Sequence, residues 1–383
     1  MTIAELHANE ALRQQEFPVT RDKIFLAHAG VCPLPHRVAE AIQKYAGLST
    51  QGDQETLWPA FQLRHARELA ARLLEAKPEE MALVGPTSLG LSLVANGLKF
   101  RKTDNILVYL DDYPSNVYPW MSLASKGVEV RFLNVRELGR IREVDVRGQV
   151  DENTRLVALA SCHFIVGWRI DLPAIGEFLR SRNILFCVDG IQTVGAFPTP
   201  AESFDFLAAD AHKWMLGPCA AGILFVRQAV QERLEPTALG WNNVRCPNYV
   251  AQEEMSFQAG ARRYEAGTHN LLGLVGLTAA MELLLAIGLE NISAELLRQR
   301  ALLVSMLQEK GYTVLQAGAP DRHVSSIVTF HRAGADMLPI YERLEAAGVI
   351  TSLRTDRAGQ RYIRLSPHFY NTDAELRHLL EQL

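Results

Sequence analysis

Short apolar runs separated by helix-forming stretches recur through the first two-thirds of this 383-residue chain, and that alternation constrains the fold more than any other feature. The runs Met81–Val84, Ile106–Tyr109, Val128–Phe132, Leu156–Ala160 and Ile184–Val188 read as buried strands. Helical segments lie between them. The clearest begins at Asp171-Leu172-Pro173, where Asp171 can cap, Glu177 follows, and Arg180 and Arg182 close the last turn before Asn183 leads into the next strand. This order predicts an α/β unit, a mostly parallel sheet flanked by helices.

After Gly267 the texture changes. A long apolar helix is expected over Leu271–Ile287 and a charged helix around Glu295–Glu309, with β-like segments at Ser326–Val328 and Tyr362–Leu365. These predict a smaller C-terminal α+β domain. The expected division is an N-terminal segment, residues 1–20, packing with the small domain, a large domain over 21–267, and the small domain over 268–383.

A net charge of −4, with both signs scattered and no extended Lys or Arg run, argues against nucleic acid as a partner. The N-terminus has no basic segment leading into an apolar stretch, and no apolar run approaches ~20 residues, so neither secretion nor a membrane span is expected. A cytoplasmic location follows as the expectation. The five cysteines, Cys32, Cys162, Cys187, Cys219 and Cys246, are widely spaced and include no Cys-x-x-Cys pair. They suit reduced thiols better than a disulfide framework or a zinc site.

In an open parallel sheet, ligands gather beyond the carboxyl ends of the strands. Asp189 closes the run Ile184–Val188, and Gly190 after it permits a sharp turn; alone, the pair is an ordinary strand ending. Lys213, in Asp210-Ala211-His212-Lys213-Trp214, changes its meaning. A lysine that forms a Schiff base must lose its proton near neutral pH, and a carboxylate that keeps a pyridine nitrogen protonated lets the ring take up electrons. The two residues together point to pyridoxal phosphate chemistry.

Gly85-Pro86-Thr87-Ser88-Leu89-Gly90 follows a strand and opens an apolar helix, which makes either a phosphate seat or an ordinary cap by Thr87 or Ser88. Gly190 to Gly195 has the glycine spacing of a nucleotide loop, but Ala196 and Phe197 stand where Lys and Ser or Thr are needed. Tyr113 could lie over a planar cofactor or be a rim tyrosine. His163 and His212 could shuttle protons or be satisfied polar groups. Arg364, between Ile363 and Leu365, needs an anion: a substrate carboxylate or an acidic neighbour.

With these residues in place, the chain resembles the class V aminotransferases, fold-type I pyridoxal phosphate enzymes that include cysteine desulfurases, kynureninases and isopenicillin-N epimerases. The resemblance spans nearly the whole chain and rests on ordered stretches: Gly85 to Asn96, Asp112 to Trp120, Phe164 to Leu172, Asp189 to Gln192, His212 to Trp214, Gly260 to Thr268 and Arg364 to Thr372. It implies that Lys213 carries the cofactor as a Schiff base and that Asp189 pairs with the pyridinium nitrogen. It further implies that Gln192 bonds the phenolic oxygen, that Thr87, Ser88 and His212 hold the phosphate, and that Tyr113 stacks on the ring. Arg364 matches the arginine for the substrate α-carboxylate, and His163 stands at a polar position that could face the substrate. Thr268 matches a residue that reaches the neighbouring subunit's phosphate, which implies a homodimer.

One departure bears on the reaction. Persulfide-forming desulfurases carry a cysteine shortly before the substrate arginine, whereas Ser352 to Arg361 contains none and the last cysteine is Cys246. The expected activity is transamination of an amino acid or amine, with a desulfurase-like C–S lyase or an epimerase as the alternative. A cofactor-binding regulatory protein without turnover is the reading from another class.

Overall fold

Seven strands form the central sheet of the structure, a computed structural model describing residues 1–383. They are β1 (Met81–Val84), β2 (Asn105–Val108), β3 (Glu129–Phe132), β4 (Thr154–Ala160), β5 (Leu185–Asp189), β6 (Phe206–Asp210) and β7 (Gly222–Val226). Their order across the sheet is β1-β7-β6-β5-β4-β2-β3. Strands β6, β5, β4, β2 and β3 pair in parallel, while β7 runs antiparallel to both neighbours, β6 and β1. The carboxyl ends of β1, β6, β5, β4 and β2 therefore open on one edge of the sheet.

The five strands anticipated from sequence are present, with ends shifted by one or two residues. Strands β6 and β7 were not anticipated. In β6 the small Ala208 and Ala209 give little β-branched or aromatic signal, although every residue of that strand is buried.

Both faces of the sheet are covered, as parallel strands require. Along β4, Leu156 and Ala158 join a core with Leu91 and Val94 of the helix Thr87–Gly97. Val157 and Leu159 point the other way, toward Ile175 and Leu179 of the helix Leu172–Ser181, whose N-terminus is capped by Asp171 as expected. Gly90 sets how closely the first of these helices meets the sheet, because a Cβ there would stand 2.8 Å from the Ala208 Cβ.

The apolar helix spans Leu271–Ile287 as expected but does not belong with the small domain. It packs on the helices His36–Leu48 and Ala60–Leu74, inside the large core. A helix apolar on all sides needs cover on all sides, and these two helices supply part of it. The next helix begins at Leu289, earlier than Glu295, directly after Gly288, whose φ of 92° breaks the preceding one.

Beyond it lies a four-stranded antiparallel sheet of β8 (Thr313–Val314), β9 (Val328–His331), β10 (Ser352–Thr355) and β11 (Arg361–Leu365), in the order β10-β11-β9-β8. Leu303, Leu344, Leu376 and Leu379 from three helices cover it. The N-terminal helices dock on this part of the chain: Arg13 pairs with Glu375 at 2.8 Å, and Phe17 stacks on Tyr370 with ring centres 4.0 Å apart. Ile24–Phe25 then pairs in parallel with Val349–Ile350, so these residues join the C-terminal part although the expected large domain began at 21. No single helix is long and apolar enough to cross a membrane.

Candidate active site

Lys213 and Asp189 reach a common cavity because β6 and β5 are parallel neighbours ending on the same edge. Past β6 the chain turns tightly through Lys213 and Trp214. The turn leans on Gly195, whose φ of 90° suits glycine and whose added Cβ would stand 2.8 Å from the Trp214 carbonyl oxygen. The Lys213 amine lies over the Tyr113 ring, 5.2 Å from its centroid. Burial pushes the lysine down to about 8, with Arg364 and Arg354 acting in the same direction against the pull of Asp189. An amine so placed is available as a base and nucleophile near neutral pH.

Asp189 is buried and accepts a hydrogen bond from the Ile191 N–H at 3.0 Å. Its register partner on β4 is Ala160, whose N–H donates to Asp112 Oδ2 at 3.0 Å. Asp112 also accepts from the Tyr113 N–H at 2.7 Å and from Asn116 Nδ2 at 3.0 Å, which fixes the loop that carries Tyr113. Burial raises Asp189 to about 7, the second carboxylate of Asp112 adds to the rise, and Lys213 opposes it. Asp189 is thus ionised readily only when a cation lies beside it, as a protonated ring nitrogen would.

The helix Thr87–Gly97 begins at the cavity behind Pro86, and no side chain caps it. The cap that Thr87 or Ser88 could have supplied is not formed; the Thr87 hydroxyl instead accepts from the Asp210 N–H at 2.9 Å. First-turn N–H groups are left facing the cavity that Thr87, Ser88 and His212 line, and such groups favour an anion. His212 Nδ1 lies 2.9 Å from Asp210 Oδ2 without hydrogen-bond geometry.

At the far side stands Arg364, almost fully buried on β11. Its Nη1 donates to the Phe164 carbonyl at 2.6 Å and its Nη2 lies 3.4 Å from the Ser352 hydroxyl, while its buried Nε has no partner. No carboxylate lies at ion-pair distance, so the acidic neighbour that sequence left open is absent. Burial and the nearby Arg354 both penalise its charge until an anion arrives.

Three of the expected residues are placed elsewhere. Gln192 is buried with its amide held between the Ala29 carbonyl at 3.1 Å and the Trp214 indole N–H at 2.8 Å. His163 Nε2 meets the Asp111 carbonyl at 3.0 Å, its Nδ1 accepts from the N–H groups of Ile165 and Val166, and Phe164 rather than His163 lines the cavity. Thr268 lies in a separate hollow with Gly85 and Leu89, its hydroxyl 3.3 Å from Glu55 Oε1. Sequence reasoning missed Arg354 and the Ala29-Gly30 loop, which both line the cavity. The signal for Arg354 was the strand Ser352–Thr355 hairpinned to Arg361–Leu365, where residues two apart share a face.

The cavity has a volume of about 300 Å³. Its chemistry fits pyridoxal phosphate: an uncapped helix start with two hydroxyls for the phosphate, a proton-holding carboxyl for the ring nitrogen, an aromatic face and an amine of lowered basicity. The buried, unpartnered Arg364 Nε adds an unfilled place for a substrate anion.

The sequence model of the family described as aminotransferase class-V matches residues 24–379. A probable cysteine desulfurase of Methanothermobacter thermautotrophicus is 28% identical, over 97% of this chain and 96% of its own length. An uncharacterized aminotransferase, YcbU of Bacillus subtilis, is 27% identical over 98% of both chains. Among solved structures, a cysteine desulfurase from Thermococcus onnurineus superposes with a TM-score of 0.87 at 23% identity, covering 97% of this chain and 96% of that one. The cystine C–S lyase C-DES superposes with a TM-score of 0.86 at 24% identity, over 96% of this chain and 98% of its own. At those identities the superpositions speak for the fold.

Proposed function

The chain belongs to the class V aminotransferases, and from that premise we propose that it is a pyridoxal phosphate enzyme that removes the α-proton of an α-amino acid and transfers its amino group. When bound, the cofactor supplies a carbonyl that condenses with amines and a ring that accepts the electrons left at Cα. The observation that carries the reading is that Lys213, Asp189 and the unpaired Arg364 share one cavity.

Each residue has work suited to its surroundings. Lys213, lowered to about 8, takes the proton from Cα and would pass it to the cofactor carbon that condenses with the amine, the shift that amino-group transfer requires. Asp189 holds the proton on the ring nitrogen. Thr87, Ser88 and His212 hold the phosphate, and Arg364 grips the α-carboxylate with its planar fork. Tyr113 covers the ring and limits water at Lys213. Gln192 remains the candidate for the phenolic oxygen, since its amide has a second N–H to give. The assembly proposed is a homodimer in which Thr268 serves the partner's phosphate.

Two observations bear on the reaction that follows proton removal. The residues that line the cavity include no cysteine, and Cys162 and Cys32 point their sulfurs to the carbonyls of His163 and Gly217. A mechanism that hands sulfur to a protein thiol lacks its acceptor here, which supports transamination. The names of the relatives favour a second reading, C–S bond cleavage, which in this cavity would proceed without a lining thiol. Borohydride reduction and peptide mapping should find the pyridoxyl group on Lys213, and a label on another lysine refutes the site. Single-turnover reactions with an amino acid panel then decide the branch. A 2-oxo acid with retention of nitrogen on the cofactor is the expected result; sulfide released from cysteine, or cysteine persulfide from cystine, would establish the lyase.

A further inference from the structure

Arg354 is the one charged cavity residue without a task in this scheme. On the hairpin of β10 and β11, Ser352 is the register partner of Arg364, and Arg354 lies two residues beyond Ser352, opposite Tyr362. Side chains two apart leave the same face of a strand, so both guanidiniums emerge on the side that faces the cavity. Their convergence is visible at Gly30, where an added Cβ would stand 3.8 Å from the Nη2 of each.

The two arginines differ in depth. Arg364 is buried, whereas Arg354 is half-buried and nearer the mouth. Neither has a carboxylate at ion-pair distance. Arg354 makes a single side-chain hydrogen bond, from Nη1 to the Leu353 carbonyl at 3.0 Å. Two cations in one cavity repel each other, and one α-carboxylate neutralises only one of them. A ligand with a second anionic group, set apart from the first by a short side chain, would balance the pair.

We propose that Arg354 is a specificity-determining residue that binds an acidic side chain, so that the substrate is a dicarboxylic α-amino acid of the aspartate and glutamate type. Arg364 takes the α-carboxylate at depth, and Arg354 takes the distal carboxylate near the mouth. Gly30 lies against both guanidiniums, and an alanine there would touch each at 3.8 Å and press on the Ala27 carbonyl oxygen at 3.1 Å. The proposal rests on the reading of the cavity as an amino acid site.

Aspartate and asparagine, or glutamate and glutamine, are nearly isosteric and differ by one charge, which isolates the role of Arg354. The test follows the holoenzyme's visible absorbance during titration with each pair. In parallel, calorimetry of the same holoenzyme measures binding of unreactive succinate and butyrate. The dicarboxylate of each comparison should bind roughly tenfold or more tightly than its mate, the scale of a charge-assisted hydrogen bond. In Arg354→Gln the ratio should fall to near one, and Arg354→Lys should restore part of it. Equal affinity within each pair, or a ratio that Arg354→Gln does not move, overturns the proposal; that result is also expected if both arginines grip one α-carboxylate. Absence of any absorbance change with every amino acid defeats the amino acid reading itself, and the succinate and butyrate measurements still decide Arg354.

Discussion

The Lys213 amine sits over the Tyr113 ring, 5.2 Å from its centroid, at the meeting of two loops that leave different strands. Tyr113 is itself half-exposed and leans edge-on against Phe164, with ring centres 5.4 Å apart. The aromatic face is therefore positioned by protein contacts before a planar ring arrives beside the lysine. Tyr113→Ala should weaken cofactor retention by about 1 kcal/mol, the scale of one aromatic contact. Tyr113→Phe should retain most of it. Dialysis followed by absorbance measures both, and equal retention in the alanine variant would remove Tyr113 from the stacking role.

The cofactor-free protein should show the proton that Asp189 holds. Burial and Asp112 raise this carboxyl from 3.8 to about 7, so between these values the folded chain keeps a proton that the unfolded chain has lost. Its contribution is fully present at low pH and fades as pH rises through about 7. Asp189→Asn stays neutral and should lose less stability between about pH 5 and about pH 7.5. Urea midpoints at the two values decide it; parallel losses in both proteins would contradict the assignment.

Arg364→Lys keeps the charge but not the fork. Amino acids with a free α-carboxylate should bind about 1.5–3 kcal/mol more weakly, the range for hydrogen bonds to charged groups. Amines that lack the carboxylate should be little affected. Titrations followed by absorbance separate the two classes, and an equal loss for both would make Arg364 structural.

The buried pair Arg13–Glu375 ties the N-terminal helices to the last one, and Glu375 also accepts from the Thr372 N–H at 2.9 Å. Glu375→Ala leaves Arg13 with Glu10 as its only carboxylate, at 2.8 Å, and should cost about 1.5 kcal/mol, the scale of one hydrogen bond between charged groups. Faster proteolytic cleavage in the first twenty residues, with a lower urea midpoint, is the expected pattern. A midpoint within experimental error of the parent would show that the pair contributes nothing.

The proposed sharing of sites between two copies can be tested by complementation. Lys213→Ala and a bulky Thr268 variant should each be inactive, yet in a mixed dimer the site with an intact Lys213 receives an intact Thr268 from its neighbour. About a quarter to a half of parental activity should return, one site of two at most. No recovery in verified mixed dimers would place Thr268 outside the site.

What sequence disclosed depended on whether the signal was local. Asp189 was legible because it closes a strand readable from its own apolar run, and Lys213 because of its type and its place downstream of Asp189, although β6, three residues before it, was not anticipated. The Leu271–Ile287 helix was legible as a helix, but its place in the large core was not, because uniform apolarity does not say which layer covers it. Gln192 came from the family resemblance and His163 from its type and the same resemblance, and only three-dimensional contacts show His163 bonded to Asp111 and the Gln192 amide held by Ala29 and Trp214. Arg354 was passed over because its meaning comes from hairpin register with Arg364. Asp112 gains its role from a strand more than forty positions away, through the Ala160 N–H.

Strand β1 touches the rest of the sheet only through β7, at the edge of the order β1-β7-β6. A chain emerging from the ribosome thus delivers Met81–Val84, and the Thr87–Gly97 helix start after it, long before Gly222–Val226 exists to hold them. Until that strand is made, Met81–Val84 lacks its only partner in the sheet, and the phosphate seat is held to the Lys213 side only by its helix, through Thr87 on Asp210 and Gly90 against Ala208. The edge of the sheet that carries the seat is thus the last to close, joined by a strand made about 140 residues later.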